Sequence, residues 1–185
     1  MPLKIAARRS SIHGNGVFAI APIKKGERVV QYKGLLRSHA DVDAQHADQD
    51  ETGHTFLFTL NDDYVIDANH GGNIARWINH SCKPNCEADE DGGRVFIKTL
   101  RNIEPGEELF YDYGLIIDAR YTPKLLAEYP CWCGAKKCRG TLLAPKDKRG
   151  GGKKTNKLNE LNKSNKLKKS DKKSAGSKTV KKKTI

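Results

Sequence analysis

Over 185 residues the chain has no apolar run approaching the roughly 18 residues that a membrane span needs. Its start, MPLKIAARRSS, has no apolar core of a signal peptide, so we expect an intracellular protein with no membrane partner. Histidine is absent after His80, and Lys146 to Ile185 contain neither an aromatic residue nor a cysteine. Lysine and arginine are missing from Ser38 to Glu51, where Asp41, Asp43, Asp48, Asp50 and Glu51 supply the charge. Cysteine is scarce and odd in number, five in all, with three crowded into Cys131, Cys133 and Cys138. That pattern argues against a disulfide framework and for a metal in a reducing compartment.

The charge is divided along the chain. The net +12 comes from the last 40 residues, which hold 16 Lys+Arg against 3 Asp+Glu; the other 145 are close to neutral at −1. The length suits one domain with a modest core, and the basic segment is an appendage to it. Composed mostly of Lys, Asn, Ser, Gly and Thr, that tail cannot bury enough apolar area to offset its ordering entropy and is expected to be disordered. Its charge is suited to nucleic acid, held without sequence preference through counterion release.

Short strands separated by turn signals point to a mostly β fold. Val17–Ile20, Arg28–Tyr32, and a hairpin of His54–Leu60 with Tyr64–Ala68 read as strands, as does a further pair, Arg94–Leu100 with Glu108–Tyr113. The acidic stretch reads as a solvated helix or loop, or as a wall for a basic partner. Thr122-Pro123 is an N-cap followed by a first-turn proline, so a short helix runs from there to Tyr129. Gly14 and Gly16 flank Asn15, a turn or a close backbone approach to a ligand.

Two stretches carry chemistry. In residues 72–86, Ile74, Trp77 and Ile78 at helical spacing deliver Asn79, His80, Ser81 and Cys82 to the edge of a packed element, where Pro84 turns the chain. In CWCGAKKCRG, residues 131–140, three thiols fall within eight residues. Structural zinc takes four ligands, and no histidine follows to complete the set, so the fourth thiolate comes from Cys82 or Cys86.

HGNGVF (13–18), QYKG (31–34), IDA (66–68), GNIARWINHSCKPN (72–85), GEELFYDY (106–113) and CWCGAKKCRG follow one another in an order that resembles the SET-domain lysine methyltransferases with the post-SET segment of the trithorax-like branch. The resemblance spans about Arg8 to Gly140, shows no cysteine-rich pre-SET module and leaves the tail uncovered. It implies a SET-domain β fold of several small sheets with a pseudoknot. Residues 1–114 would be the SET domain, with an acidic insert at about 37–54. A linker or short helix at 115–128, a post-SET zinc segment at 129–145 and the disordered tail at 146–185 would follow.

The resemblance also implies an activity: transfer of a methyl group from S-adenosylmethionine to a protein lysine. His13, Gly14, Asn15, Gly16, Phe56, Asn79, His80 and Trp132 fall at cofactor positions, with Trp132 placed to cover the adenine. Tyr113 falls at the catalytic tyrosine, Tyr111 and Tyr32 at lysine-channel positions, and Cys82, Cys131, Cys133 and Cys138 at the zinc ligands, leaving Cys86 spare. Two departures stand out: Phe56 replaces a tyrosine usual in relatives, and Asn15 an arginine found in trithorax-like members. Two channel tyrosines with hydroxyls imply mainly monomethylation. The expected substrate is a basic protein, a histone tail or, in a microbe, a nucleoid protein, and the lysine-rich tail invites self-methylation. The expected place is chromatin or a nucleoid, in a nucleus or in a bacterial cytoplasm with action on a host nucleus. The alternative is a catalytically weak SET-fold adaptor for chromatin or DNA.

Overall fold

The computed structural model describes residues 3–46, 56–117 and 119–146. The hairpin expected from His54 begins, and the acidic insert ends, outside the described residues, as does the tail from residue 147. In chain order the elements are β1 (Ile5–Arg9), β2 (Asn15–Ala19), β3 (Arg28–Tyr32), β4 (Leu35–Ser38), α1 (His39–His46), β5 (Leu57–Thr59) and β6 (Tyr64–Asp67). A 3-10 turn (Ile74–Trp77), β7 (Asn79–His80), β8 (Cys86–Asp91), β9 (Arg94–Thr99), β10 (Glu108–Tyr111) and α2 (Pro123–Glu128) complete the set.

The strands form three small sheets, ordered β1-β2-β10-β7, β3-β9-β8 and β4-β6-β5. In β9 the alternation is legible: Val95, Ile97 and Thr99 are buried while Arg94, Phe96 and Lys98 are less so. Apolar residues from all three sheets, among them Val17, Val30, Ile66, Ile97 and Leu109, share one core with Ile78 from the chain just past the 3-10 turn. That shared core fixes the sheets against one another and hence the residues at their edges. Among the described residues no helix is long and apolar enough to cross a membrane.

The hairpin of β5 and β6 forms as read, with Leu57 opposite Asp67 and Thr59 opposite Val65. The pair expected from Arg94–Leu100 and Glu108–Tyr113 does not. β9 lies between β3 and β8, whereas β10 lies between β2 and β7. The reason is in the connection: Ile103, fully buried, bridges to Ile23, so the chain leaves one sheet before β10 enters another. The described part of the acidic stretch forms a helix, α1, whose start is held by Ser38 Oγ accepting the Asp41 N–H at 3.1 Å. α2 begins as expected, with Thr122 Oγ1 accepting the Leu125 N–H at 3.2 Å and proline in its first turn.

Candidate active site and metal centre

Asn79 and His80 reach their places because β7 runs parallel to β10, with Asn79 beside Phe110 and His80 beside Tyr111. Two residues of strand are little to hold such a register, and Asn85 supplies the rest. Its buried side chain donates to Glu108 O and accepts from the Phe110 N–H, both at 2.7 Å, as a neighbouring strand would. Pro84 turns the chain so that this asparagine comes back against β10.

The glycine-rich loop docks on the same place. Asn79 Nδ2 lies 3.3 Å from His13 O, 3.0 Å from Asn15 O and 3.0 Å from Glu108 Oε1. Glu108 Oε2 accepts from Ser10 Oγ at 3.0 Å. A Cβ on Gly16 would collide with the Glu108 carboxylate and touch Ser10, so a larger residue there would displace Glu108 from its bonds to Asn79 and Ser10. Gly14 takes φ +49, a left-handed turn that opens the loop. His13, Gly14, Asn15, Gly16 and Asn79 are thus brought together.

The tyrosines converge on the other side of β10. Tyr111 and Tyr113 rings stand 4.9 Å apart, and Phe58 bridges Tyr32 at 5.2 Å and Tyr111 at 6.4 Å. Tyr113 donates its hydroxyl to Ile78 O at 2.9 Å, and Tyr32 donates to Phe56 O at 3.4 Å. Burial pushes all three phenols up, Tyr32 to about 12, and the neighbouring tyrosines add to the upward shift of Tyr111 and Tyr113. The cluster is neutral at any physiological pH.

Phe56 packs edge-on against Trp77 at 4.8 Å, and the Arg76 guanidinium lies 5.4 Å from the Phe56 ring centre and 4.7 Å from that of Trp77. Arg76 spends Nη1 on Ala68 O at 3.1 Å, while its buried Nε has no protein partner. A fixed cation with a free donor suits a carboxylate. Sequence reasoning passed over Arg76, Glu108 and Asn85; the only available signal was charge or amide inside an otherwise apolar strand or turn.

His80 joins the tyrosines to the thiols. Its Nδ1 lies 3.1 Å from the Tyr113 backbone nitrogen and accepts that N–H, so the proton sits on Nε2, 3.4 Å from Cys82 Sγ. Burial lowers the pKa of this ring, Asp112 opposes that and Arg139 reinforces it, so the imidazole is neutral. Asp112, 3.5 Å from Nδ1, therefore faces an acceptor rather than an imidazolium.

The sulfurs of Cys82, Cys131, Cys133 and Cys138 all lie within 4.8 Å of one another. Cys82 Sγ is 3.8 Å from Cys131 and 4.0 Å from Cys138. A tetrahedral zinc with bonds of about 2.3 Å places its sulfurs about 3.8 Å apart, so these residues fit that ion. Backbone N–H groups of Cys82, Arg139 and Gly140 donate to Cys133, Cys82 and Cys138 sulfurs at 3.4, 3.4 and 3.3 Å, as they do to thiolates. Burial pushes the Cys133 thiol up, but N–H donors from Cys82 and Ala135 with the Cys131 and Cys138 thiols outweigh it and bring it down to about 6. Cys86 stands apart, fully buried in the core.

Trp132 is 78% exposed. Next to it, Cys133 and Gly134 face Ser81, Lys83, Glu108 and Phe110 across a cleft of about 460 Å³.

The chain is similar to known proteins. A SET-domain family model matches residues 14–114. A histone-lysine N-methyltransferase, SETD1B, of Xenopus laevis is 37% identical over 145 residues, 75% of this chain and 7% of the relative. The H3 lysine-4 specific histone-lysine N-methyltransferase of Schizosaccharomyces pombe is 40% identical over 139 residues, 72% of this chain and 14% of the relative. This chain thus spans a small fraction of the length of the curated relatives it matches. Among solved structures, ctPRC2 in an autoinhibited conformation bound to S-adenosylmethionine matches with a TM-score of 0.55 and 32% identity, covering 62% of this chain and 15% of that one. A family match over more than half the chain accompanies an Asn79-His80 strand lodged against a tyrosine-bearing strand, and on these grounds the chain belongs to the SET-domain family.

Proposed function

We propose that this chain is an S-adenosylmethionine-dependent protein-lysine N-methyltransferase of the histone-lysine type, acting on basic chromatin proteins and mainly adding one methyl group. The observation that carries the reading is the convergence of Tyr32, Tyr111 and Tyr113 around Phe58, in a neutral buried cluster next to Asn79 and His80. S-adenosylmethionine supplies a methyl already activated on a sulfonium. The protein therefore needs alignment and a neutral amine rather than a strong nucleophile. Lysine ordinarily titrates near 10.4; an aromatic channel disfavours its ammonium form by desolvation, and tyrosine hydroxyls orient the lone pair.

In this reading the loop from His13 to Gly16, with Phe56, Asn79, His80 and Trp132, binds the cofactor. Arg76 meets its carboxylate, and the cleft beside Cys133 and Gly134 takes its adenosine end. Trp132 is exposed because only the ligand would cover it. Cys82, Cys131, Cys133 and Cys138 would hold a zinc ion that ties the post-SET segment, 129–145, to the SET domain, 1–114. Tyr32 and Tyr111 flank the amine and Tyr113 completes its surroundings.

The lysine-rich tail serves two further parts of the reading: retention on DNA, and self-methylation at high effective concentration. An adaptor would have no physical need of three convergent buried tyrosines, so the enzymatic reading is preferred. Full-length protein with labelled S-adenosylmethionine, offered histones, bacterial nucleoid proteins and itself, with the modified lysines mapped, tests all of this. The expected product is monomethyl-lysine on a histone tail, with label also on tail lysines. Cofactor binding without transfer to any basic protein overturns the enzymatic reading; an unlabelled tail beside a labelled substrate removes self-methylation alone.

A further inference from the structure

Among the described residues from 114 to 131 the chain has little grip on the strands. α2 buries none of its residues, and the bridges Leu115 to Leu143 and Pro130 to Thr141 join this stretch to the segment after the cysteines rather than to a sheet. Among the described residues two attachments bring the cysteine segment back to β7 and β10. One is the metal cluster, through Cys82. The other is a fork: Arg139 Nη1 donates to Asp112 Oδ2 at 2.5 Å and Nη2 to Oδ1 at 2.8 Å.

The two residues are unusually placed. Asp112 lies between Tyr111 and Tyr113, and its Oδ1 also accepts the Gly114 N–H at 3.0 Å, which fixes the carboxylate plane. Arg139 follows a cysteine of the cluster, and its backbone N–H donates to Cys82 Sγ at 3.4 Å. One residue thus touches the thiols with its backbone and the end of β10 with its side chain. Both side chains are partly exposed, at 21% and 35%, so the pair contributes little to global stability. What a planar two-bond fork does contribute is orientation, which a lysine point charge cannot reproduce.

Resting on the methyltransferase reading, we propose that Asp112 and Arg139 form a positioning latch: they hold the post-SET segment at a set distance and angle from Tyr111 and Tyr113. The cofactor cleft between Gly134 and Phe110 then keeps its width by a charged fork as well as by metal. Neither residue touches the reacting atoms.

The test uses zinc-loaded full-length protein with Arg139→Ala, Arg139→Lys and, one residue from neither metal ligand nor thiol, Asp112→Asn. Zinc per chain is measured together with the Kd for S-adenosylmethionine by calorimetry. The third readout needs no cofactor: the rate of tryptic cutting after Arg120 and Lys124, both exposed within the linker. Arg139→Ala should keep its zinc, weaken cofactor binding about tenfold, the scale of one charge-assisted hydrogen bond, and be cut faster in the linker. Asp112→Asn should move both readouts the same way, and Arg139→Lys should recover less than half of the loss. Wild-type Kd and cutting rate in Arg139→Ala overturn the latch, as does loss of zinc in that variant, which would put Arg139 to work on the metal instead. If the native chain binds no cofactor, the methyltransferase reading falls while the cutting rates still decide the latch.

Discussion

Replacing Cys82 by serine removes one sulfur from a cluster of four and leaves the other three within eight residues of one another. Structural zinc in small domains has an apparent binding free energy of about 10–16 kcal/mol at neutral pH, so one ligand in four accounts for about 2.5–4 kcal/mol. The corresponding loss of zinc affinity is on the order of 10²–10³-fold. Cys86→Ser is the control. That thiol is fully buried, and burial pushes it up to about 12 despite a backbone hydrogen bond at Phe110 and the charge of Arg101, so it remains a neutral thiol. Serine there costs about 1–3 kcal/mol of stability for a poorly satisfied hydroxyl and no zinc. Metal analysis of the purified proteins, followed by titration with a competing chelator, separates the two. Zinc retained by Cys82→Ser and lost from Cys86→Ser would refute the assignment of Cys82 as the distant ligand.

Tyr111→Phe should shift product from monomethyl toward dimethyl-lysine by opening the space of one hydroxyl; chiefly trimethyl product from the native chain, read by mass spectrometry, contradicts the channel argument. Tyr113→Phe should lower turnover by on the order of 10²-fold, as for loss of one positioned donor, with cofactor Kd changed only a few-fold in calorimetry. The rate should climb with pH as substrate lysine loses its proton. Tyr32, Tyr111 and Tyr113, whose pKa values are raised by burial, stay protonated throughout. By the same linkage their stabilising contribution is intact below the unfolded tyrosine value of about 10 and is lost as pH rises past it. A rate that falls as pH is raised toward 9, with circular dichroism unchanged, would contradict this.

The cysteine count and the missing histidine were enough to require a fourth thiol from Cys82 or Cys86, and motif order was enough to choose between them. Two of the strands that escaped detection, β8 and β4, lack the alternation of a half-buried strand. β8, CEADED, has acids on both faces and pairs with β9 along its whole length, with Arg28 reaching Asp89 and Asp91 at 2.8 Å and Lys98 reaching Glu87; no periodicity announces a strand held by its neighbour's ladder. β4 exposes Leu35 and Leu36 at a sheet edge, which removes the alternation that marks a half-buried strand. The Asp112 to Arg139 fork joins residues 27 apart with no local pattern, and neither carries a mark before folding brings them together.

Asn79-His80-Ser81-Cys82 repays a closer look for the same reason. Read as residues, it offers an amide, an imidazole, a hydroxyl and a thiol at a turn, each free to act alone. In the fold each faces a different structure: Asn79 the glycine loop and Glu108, His80 the Tyr113 backbone, the Ser81 N–H the Tyr111 carbonyl at 3.2 Å, and Cys82 three distant thiols. His80 can serve two of these at once only as the neutral tautomer with its proton on Nε2, because Nδ1 already accepts a backbone N–H. An imidazolium would have to give up that bond. The position of Tyr113 is therefore tied, through one ring, to a sulfur of the metal cluster. Any change that moves the thiols, whether in Cys82 or in the distant cysteines, is expected to reach Tyr113 by this route.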